Sequence, residues 1–300
     1  MKPTCIICNS ESRFFMNKDV YDLFKCSSCG LVFVYPQPTA DFLKKEVYSI
    51  ESGFQSNRAE DLTKINKYSR YETVFDYVLS YKRNPLVLDV GSSGGHFIYW
   101  AKKRGIIAKG VELNNRLADS AKAQGLEVFN GFLHDALYEE KSFDAIFLGE
   151  VIEHVNSPRD LITDCKRFLK NGGLIIITTP NINCFWSKVT LSFYKTFGIP
   201  WSAATPPYHL FEFDNNNLDL LLTQEGLKPI DEKYMLPPKL TYELGSLHLL
   251  KRYKQSRRIS DLVFMLFSYS IYTLSYIVSV VFHPLLKTDF EMIKVYENGK

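Results

Sequence analysis

The chain of 300 residues carries almost no net charge: 36 Lys and Arg stand against 33 Asp and Glu, leaving +3 with histidine neutral. So small a surplus argues against a dedicated nucleic-acid binder, which concentrates far more basic charge. No internal repeat and no low-complexity tract interrupts the sequence, so repeat arrays and compositionally biased linkers are excluded. The opening MKPTCIICNS lacks the apolar core of a signal peptide, and a cytoplasmic chain is expected. Cysteine is scarce, with six residues, and is not spread as a disulfide framework. Four cysteines form two close pairs, and in a reducing compartment such pairs are metal ligands. Cys165 and Cys184 stand alone and read as small buried apolar residues.

What is present divides the chain into five stretches. Residues 1–37 hold both cysteine pairs and run into a stiff Pro-Gln-Pro exit. Residues 38–84 are mostly polar, with Tyr71, Val74, Val78 and Leu79 at helical spacing, and form a helical connector. Residues 85–240 alternate short apolar runs with amphipathic stretches, the signature of βαβ units around a parallel sheet. Strands are expected at 86–90, 108–113, 126–129, 143–148 and 174–179. Helices are expected at 95–104, 114–124 and 158–170, the last closed by Asn171-Gly172-Gly173. An apolar lid spans 181–208. Residues 241–289 form a basic and hydrophobic helical insertion, and 290–300 a final strand, antiparallel to a strand at 228–234.

Cys5-x2-Cys8 and Cys26-x2-Cys29 have the spacing of two knuckles that offer four thiolates to one tetrahedral zinc ion. Such a site is closed, so its zinc is structural. Further on, LVLDVGSSGGHF (86–97) reads as strand, glycine-rich turn and helix start. Glycines let a backbone approach a ligand and take positive φ, and the helix N-terminus offers free N–H groups. An acid at the tip of the next strand, Glu112, suits ribose hydroxyls. A dinucleotide fingerprint would need glycine at 91, 93 and 96, but the chain has Gly91, Ser93 and His96.

These residues, with FDAIFLGEVIEHVNSP (143–158) and LKNGGLIIITTPN (169–181), resemble the ordered motifs of class I S-adenosylmethionine-dependent methyltransferases, especially the quinone and sugar branch. The resemblance implies an α/β, Rossmann-like domain with a seven-stranded, mostly parallel sheet. It implies that Asp89 and Gly91 line the methionine end of S-adenosyl-L-methionine and that Gly95 opens the adjoining helix. Glu112 would hold the ribose, Leu113 would flank adenine, and Phe132 and Leu133 would cover its other side. Ser92 and Gly149 complete the expected cofactor set. Ser93 replaces the family's middle glycine and is expected at negative φ. The cysteine module resembles the N-terminal zinc-binding piece of deoxysugar methyltransferases, where it helps frame the substrate entrance.

The segment 149–155 follows the fourth strand and faces the acceptor side. Glu150, Glu153 and His154 are expected on one helical face, bracing the site or binding a divalent cation. Methyl transfer to oxygen or carbon needs a base, and His209 is the first candidate, with His154 as alternative and Tyr208 behind them. The favoured acceptor is a sugar or lipid-linked glycan intermediate, with an isoprenoid quinone precursor as alternative. A nucleic-acid methyltransferase or a non-catalytic zinc-ribbon module is the rival from another class. Residues 262–286 contain no formal charge and follow Lys251, Arg252, Lys254, Arg257 and Arg258. They are long enough to cross a bilayer, but a crossing would separate the final strand from its sheet. Peripheral contact with the inner face of the membrane is therefore expected, and no nucleic acid as partner.

Overall fold

The computed structural model describes residues 2–43, 45, 62, 69–235, 240–282 and 290–299. Residues 46–61 and 63–68 of the expected connector, and 283–289 of the expected insertion, lie outside the described residues.

Runs of Val, Ile, Leu and Phe bury both faces of the central strands, as a parallel sheet covered by helices requires. Strand β4 (Leu86–Val90) leads into helix α3 (His96–Lys103), β5 (Ile107–Glu112) into α4 (Asn115–Ala123), and β7 (Phe143–Gly149) into α5 (Pro158–Phe168). β6 (Val128–Asn130) lies at one edge, and β8 (Leu169–Pro180) is the longest strand. The sheet closes with β10 (Leu227–Met235) and β11 (Glu291–Asn298), in the order β10-β11-β8-β7-β4-β5-β6. β11 runs antiparallel to both neighbours and the remaining pairs are parallel.

Alternation along each strand divides two cores. Leu88, Ile146, Leu148, Ile175 and Ile177 face α5 and α7 (Asn215–Gln224). Val87, Ala145, Phe147, Ile176, Ile293 and Val295 face α3 and α2 (Ser69–Tyr81), where Phe97 stacks on Phe147 at 4.5 Å. Local caps set the helix starts. Asn114 accepts the amides of Arg116 and Leu117, Ser157 that of Asp160, and Asp214 with Asn217 forms a reciprocal box.

Several boundaries differ from expectation. Helix α5 stops at Phe168, because the chain joins β7 at once through Leu169 and Phe143; Asn171-Gly172-Gly173 therefore lies inside β8. The segment 150–157 is a chain of turns rather than a helix, since Ser157 and Pro158 start the helix only there.

The N-terminal module comprises β1 (Ser12–Lys18), β2 (Tyr21–Cys26) and β3 (Val32–Val34), followed by one turn of helix α1 (Ala40–Phe42). Its sheet recruits a fourth strand from the main domain, β9 (Phe211–Glu212), which pairs antiparallel with β3. Nothing in a two-residue strand announces itself in sequence. The lid contains α6 (Phe185–Phe197) and leans on the module: Met16, Leu23, Val32 and Val34 share a core with Trp201 and Ala204. Among the described residues the insertion forms three helices, α8 (Leu240–Ser246), α9 (Leu249–Ser256) and α10 (Ile259–Val281). They pack on the lid through Trp186 and Tyr272, whose rings meet edge-on at 5.1 Å.

Candidate active site

Strand order reverses at β4, which has β5 on one side and β7 on the other. In open α/β sheets ligands bind in the crevice beyond the carboxyl ends of such strands. The turn 91–95 occupies that place. Gly91 has φ 76°, and a Cβ there would come within 2.6 Å of Val151. Gly95, with φ 90°, caps α3. Ser93 also takes a left-handed conformation, φ 49°, contrary to the negative φ expected from its side chain. The reason is its amide, which must turn inward to donate to Glu112 Oε2 at 2.8 Å. Glu112 Oε1 accepts from Asn114 N at 2.7 Å. Each carboxylate oxygen keeps a second lone pair for a ligand hydroxyl.

Burial raises the Glu112 carboxyl and the amides of Asn114 and Ser93 hold it down. Asp89 is fully buried beside it and lies well above the usual range, through burial first and the Glu112 charge second. Ser92 Oγ is buried without a hydrogen-bond partner. Asp89, Gly91, Ser92, Gly95 and Glu112 thus gather at the carboxyl ends of β4 and β5. Leu113 is half-buried beside Glu112, and Gly149 ends β7. Phe132 is exposed and stacks on His134, while Leu133 belongs to the sheet core. The residues present fit S-adenosylmethionine: a turn at Gly91 that takes positive φ where a side chain would clash, and the Glu112 carboxylate with spare lone pairs for a ribose.

The acceptor side lies at the ends of β7, β8 and β11. Glu150 follows Gly149 at φ 55°, strained for a residue with a side chain. Its carboxyl is pushed up to about 7 by burial and by Glu153, against Arg70, 3.6 Å away. Glu153 is 1% exposed; neither of its oxygens has a hydrogen-bond partner among the described residues, and burial raises it to about 7. His154 donates from Nδ1 to the Tyr208 carbonyl at 2.6 Å, which fixes the tautomer and leaves Nε2 as the acceptor. Burial and the neighbouring His209 lower its pKa to about 3.

His209 sits 4.9 Å from His154, ring to ring, with Nδ1 3.5 Å from Glu212. Burial would lower its pKa, but Glu212, Glu153 and Glu150 raise it to about 9. The surrounding carboxyls thus favour its charged form, which lacks the lone pair that a base needs. The expected ligand set of Glu150, Glu153 and His154 is also rearranged. Turns replace the helix, and the side chains close enough to hold one ion are Glu153, His154 and His209, all within 4.8 Å.

Sequence reasoning missed Arg70, Glu212 and Glu291. Glu291 opens β11 opposite Pro180 and stands 3.4 Å from Arg70. Burial and Glu150 push its carboxyl to about 8. Only strand register brings it here, and no local motif signals that.

The four cysteines of the N-terminal module converge, with Cys5 Sγ 3.6 Å from Cys29 Sγ and Cys8 Sγ 3.4 Å from Cys26 Sγ. All four sulfurs lie within 4.8 Å of one another, and amides of Ile7, Ser28 and Cys29 point at them. The hydrogen bond with Cys29 pulls the Cys5 thiol down to about 5. Such a cluster has the donors and spacing of a four-thiolate metal site.

The fold and the glycine turn define a class I methyltransferase architecture. A family model described as a methyltransferase domain matches residues 63–232, and the chain belongs to that family. A ubiquinone biosynthesis O-methyltransferase of Ruegeria sp. (strain TM1040) is 31% identical over 160 residues, covering 49% of this chain and 62% of that protein. An uncharacterized protein of Methanocaldococcus jannaschii is 29% identical over 102 residues, covering 34% of this chain and 48% of that one. The chain thus spans less than two thirds of the curated relatives it matches. Phosphoethanolamine N-methyltransferase 2 of Haemonchus contortus, solved with S-adenosyl-L-methionine, superposes with a TM-score of 0.54. It covers 95% of this chain and 71% of its own length at 14% identity, a likeness of fold alone.

Two outcomes follow from the geometry. Glu291 binds its proton more tightly folded than unfolded, so its contribution to stability is present in acid and lost as pH rises from about 4.5 through about 8. Glu291→Gln should match the parent near pH 5 and exceed it above pH 8 by about 1–3 kcal/mol in urea unfolding. Cys5→Ser with Cys29→Ser should abolish metal binding by the four-cysteine cluster, as read by metal analysis of the purified protein, and loosen β9. Turnover should fall by about tenfold or more, with cofactor affinity changed by less than about threefold, in parallel activity and calorimetric titrations.

Proposed function

We propose that the protein transfers a methyl group from S-adenosylmethionine to a hydroxyl oxygen, or an acidic carbon, of a small acceptor. The observation that carries this reading is the convergence of Glu153, His154, His209 and Glu212, of which the first two follow strand β7. When bound, S-adenosylmethionine supplies an electrophilic methyl group on a sulfonium. Asp89 and Glu112 would hold its amino-acid and ribose ends. Zinc at the four cysteines would be structural, with every position filled by thiolate.

The acceptor needs to lose a proton as it attacks. Glu153 is suited to take it: its carboxyl is buried, unpartnered and poised near neutrality. His209, charged and fixed by Glu212, would stabilise the oxygen anion that remains. His154, held through the Tyr208 carbonyl, would orient the acceptor at Nε2. In this reading Glu153, rather than the His209 first expected, takes the proton. A second reading rests on the convergence of Glu153, His154 and His209 within 4.8 Å. A divalent ion there would acidify the acceptor hydroxyl directly, and stimulation by added magnesium or manganese would favour it.

Two acceptor classes remain, a lipid-linked glycan and an isoprenoid quinone precursor. Both present a hydroxyl on a lipid carrier. Similarity to ubiquinone biosynthesis O-methyltransferases favours the quinone, and the cysteine module the sugar.

Calorimetric titration with S-adenosylmethionine should give micromolar binding, weakened by about tenfold or more in Glu112→Ala. No binding to folded protein would sink the reading. Glu153→Gln should lower kcat by about a hundredfold with cofactor affinity retained. The pH–rate profile of the parent should be bell-shaped. It rises as Glu153 deprotonates near 7 and falls as His209 loses its charge near 9.

A further inference from the structure

Helix α10 is folded with its polar side inward. Its buried positions are Asp261, Met265, Ser268, Tyr272, Ser275 and Ser279, spaced alternately by four and three residues so that they form one stripe. They face the lid and α9: Tyr272 donates to the Pro200 carbonyl at 2.6 Å, and Asp261 pairs with Arg252 at 2.8 Å. The opposite side is apolar and open. Ile259, Val263, Leu266, Leu274, Ile277 and Val281 are exposed there, Leu266 at 54% and Leu274 at 61%. Phe197 at the end of α6 meets Phe267 edge-on and extends the patch toward the lid.

A surface helix of a water-soluble domain turns its apolar side to the core and its polar side to solvent. Here the order is reversed over 23 residues, about 34 Å of helix. An exposed apolar patch of that size marks an interaction surface. Charge narrows its occupant. Lys251, Lys254, Arg257 and Arg258 are all exposed immediately before α10, and the nearby acid, Asp261, is already engaged by Arg252. Basic residues beside an apolar helix suit anionic headgroups above an acyl layer. Although α10 is long and apolar enough to cross a membrane, the chain returns from it to β11, which lies between β8 and β10 of the same sheet as the strands before it. The helix therefore lies along a surface.

We propose that the outward face of α10, with the basic α9–α10 corner, docks the protein on an anionic lipid bilayer. The helix would lie in the interfacial plane with Leu266 and Leu274 among the acyl chains. Since α10 packs on the lid through Trp186 and Tyr272, docking would present the acceptor side to the bilayer. That last step rests on the methyl-transfer reading; the docking does not.

The test is co-sedimentation of the full chain with vesicles of phosphatidylcholine alone, and of phosphatidylcholine with about one-third phosphatidylglycerol. The parent should bind the mixed vesicles and be released by salt. Leu266→Glu with Leu274→Glu should abolish binding. Lys254→Glu with Arg257→Glu should weaken it by about fivefold per side chain or more. Both variants alter exposed positions and should keep the parent's circular dichroism and S-adenosylmethionine affinity. Failure of the parent to bind the mixed vesicles, or undiminished binding by the Leu266/Leu274 variant, would overturn the proposal. So would a concentration-dependent dimer that the same variant splits, which would assign the face to a second copy of the chain. None of these readouts needs an acceptor, so methyl transfer stands or falls separately.

Discussion

Two amides, of Leu210 and Phe211, donate to the carbonyl of Glu153 at 2.8 and 3.3 Å. The rest of the acceptor side depends on this small junction. The next bond outward runs from Val34 N to the Leu210 carbonyl, at 3.0 Å. The cysteine module therefore reaches Glu153 through backbone alone, by way of β3 and β9. The same short strand carries Glu212, which fixes His209, and the residues before it hold the Tyr208 carbonyl that orients His154. A module that looks like an appendage in sequence is in structure one wall of the site. Its rigidity is transmitted through hydrogen bonds that a side-chain substitution does not remove.

The second organising constraint is electrostatic. Glu150, Glu153 and Glu291 occupy a volume in which burial disfavours their charges, and Glu150 holds a backbone conformation that costs about 1–3 kcal/mol. Arg70 and the His209 imidazolium offset part of this. Such an arrangement makes poor sense as scaffolding, because apolar residues would pack there at less cost. Buried acids near neutrality can exchange protons at modest energetic cost, which is what the proposed deprotonation of an acceptor would demand.

How much of this was legible in the sequence depends on how local its cause is. The parallel strands declare themselves through apolar runs, and the cofactor turn through Gly91, Gly95 and Glu112. The cysteine cluster follows from two short spacings. The acceptor side was only partly readable. Glu153, His154 and His209 were visible as residue types, but the protonation of His209 depends on Glu212 three residues away in a strand too short to detect. Glu291 arrives by register across the sheet. The helical face expected within 149–155 did not form because the strained turn at Glu150 and the cap at Ser157 override residue spacing. The orientation of α10 is tertiary as well: its sequence is apolar with scattered serines, and only packing against the lid decides that the serines go inside.

The position of β11 has a consequence for how the domain assembles. β8 and β10 are made first, and each needs β11 to cover one edge. Between β10 and β11 the chain passes out through α8, α9 and α10. Until it returns, β8 presents a bare edge and β10 has no strand to pair with, a template for unwanted pairing. β11 must pair with β8 across a long sequence separation and bring β10 into the sheet with it, and such non-local pairing is slow. The helices of the insert emerge in that interval, and the apolar face of α10 with them. Nascent chains of this protein therefore expose an open sheet and an apolar helix together, and both are relieved only when β11 slides home.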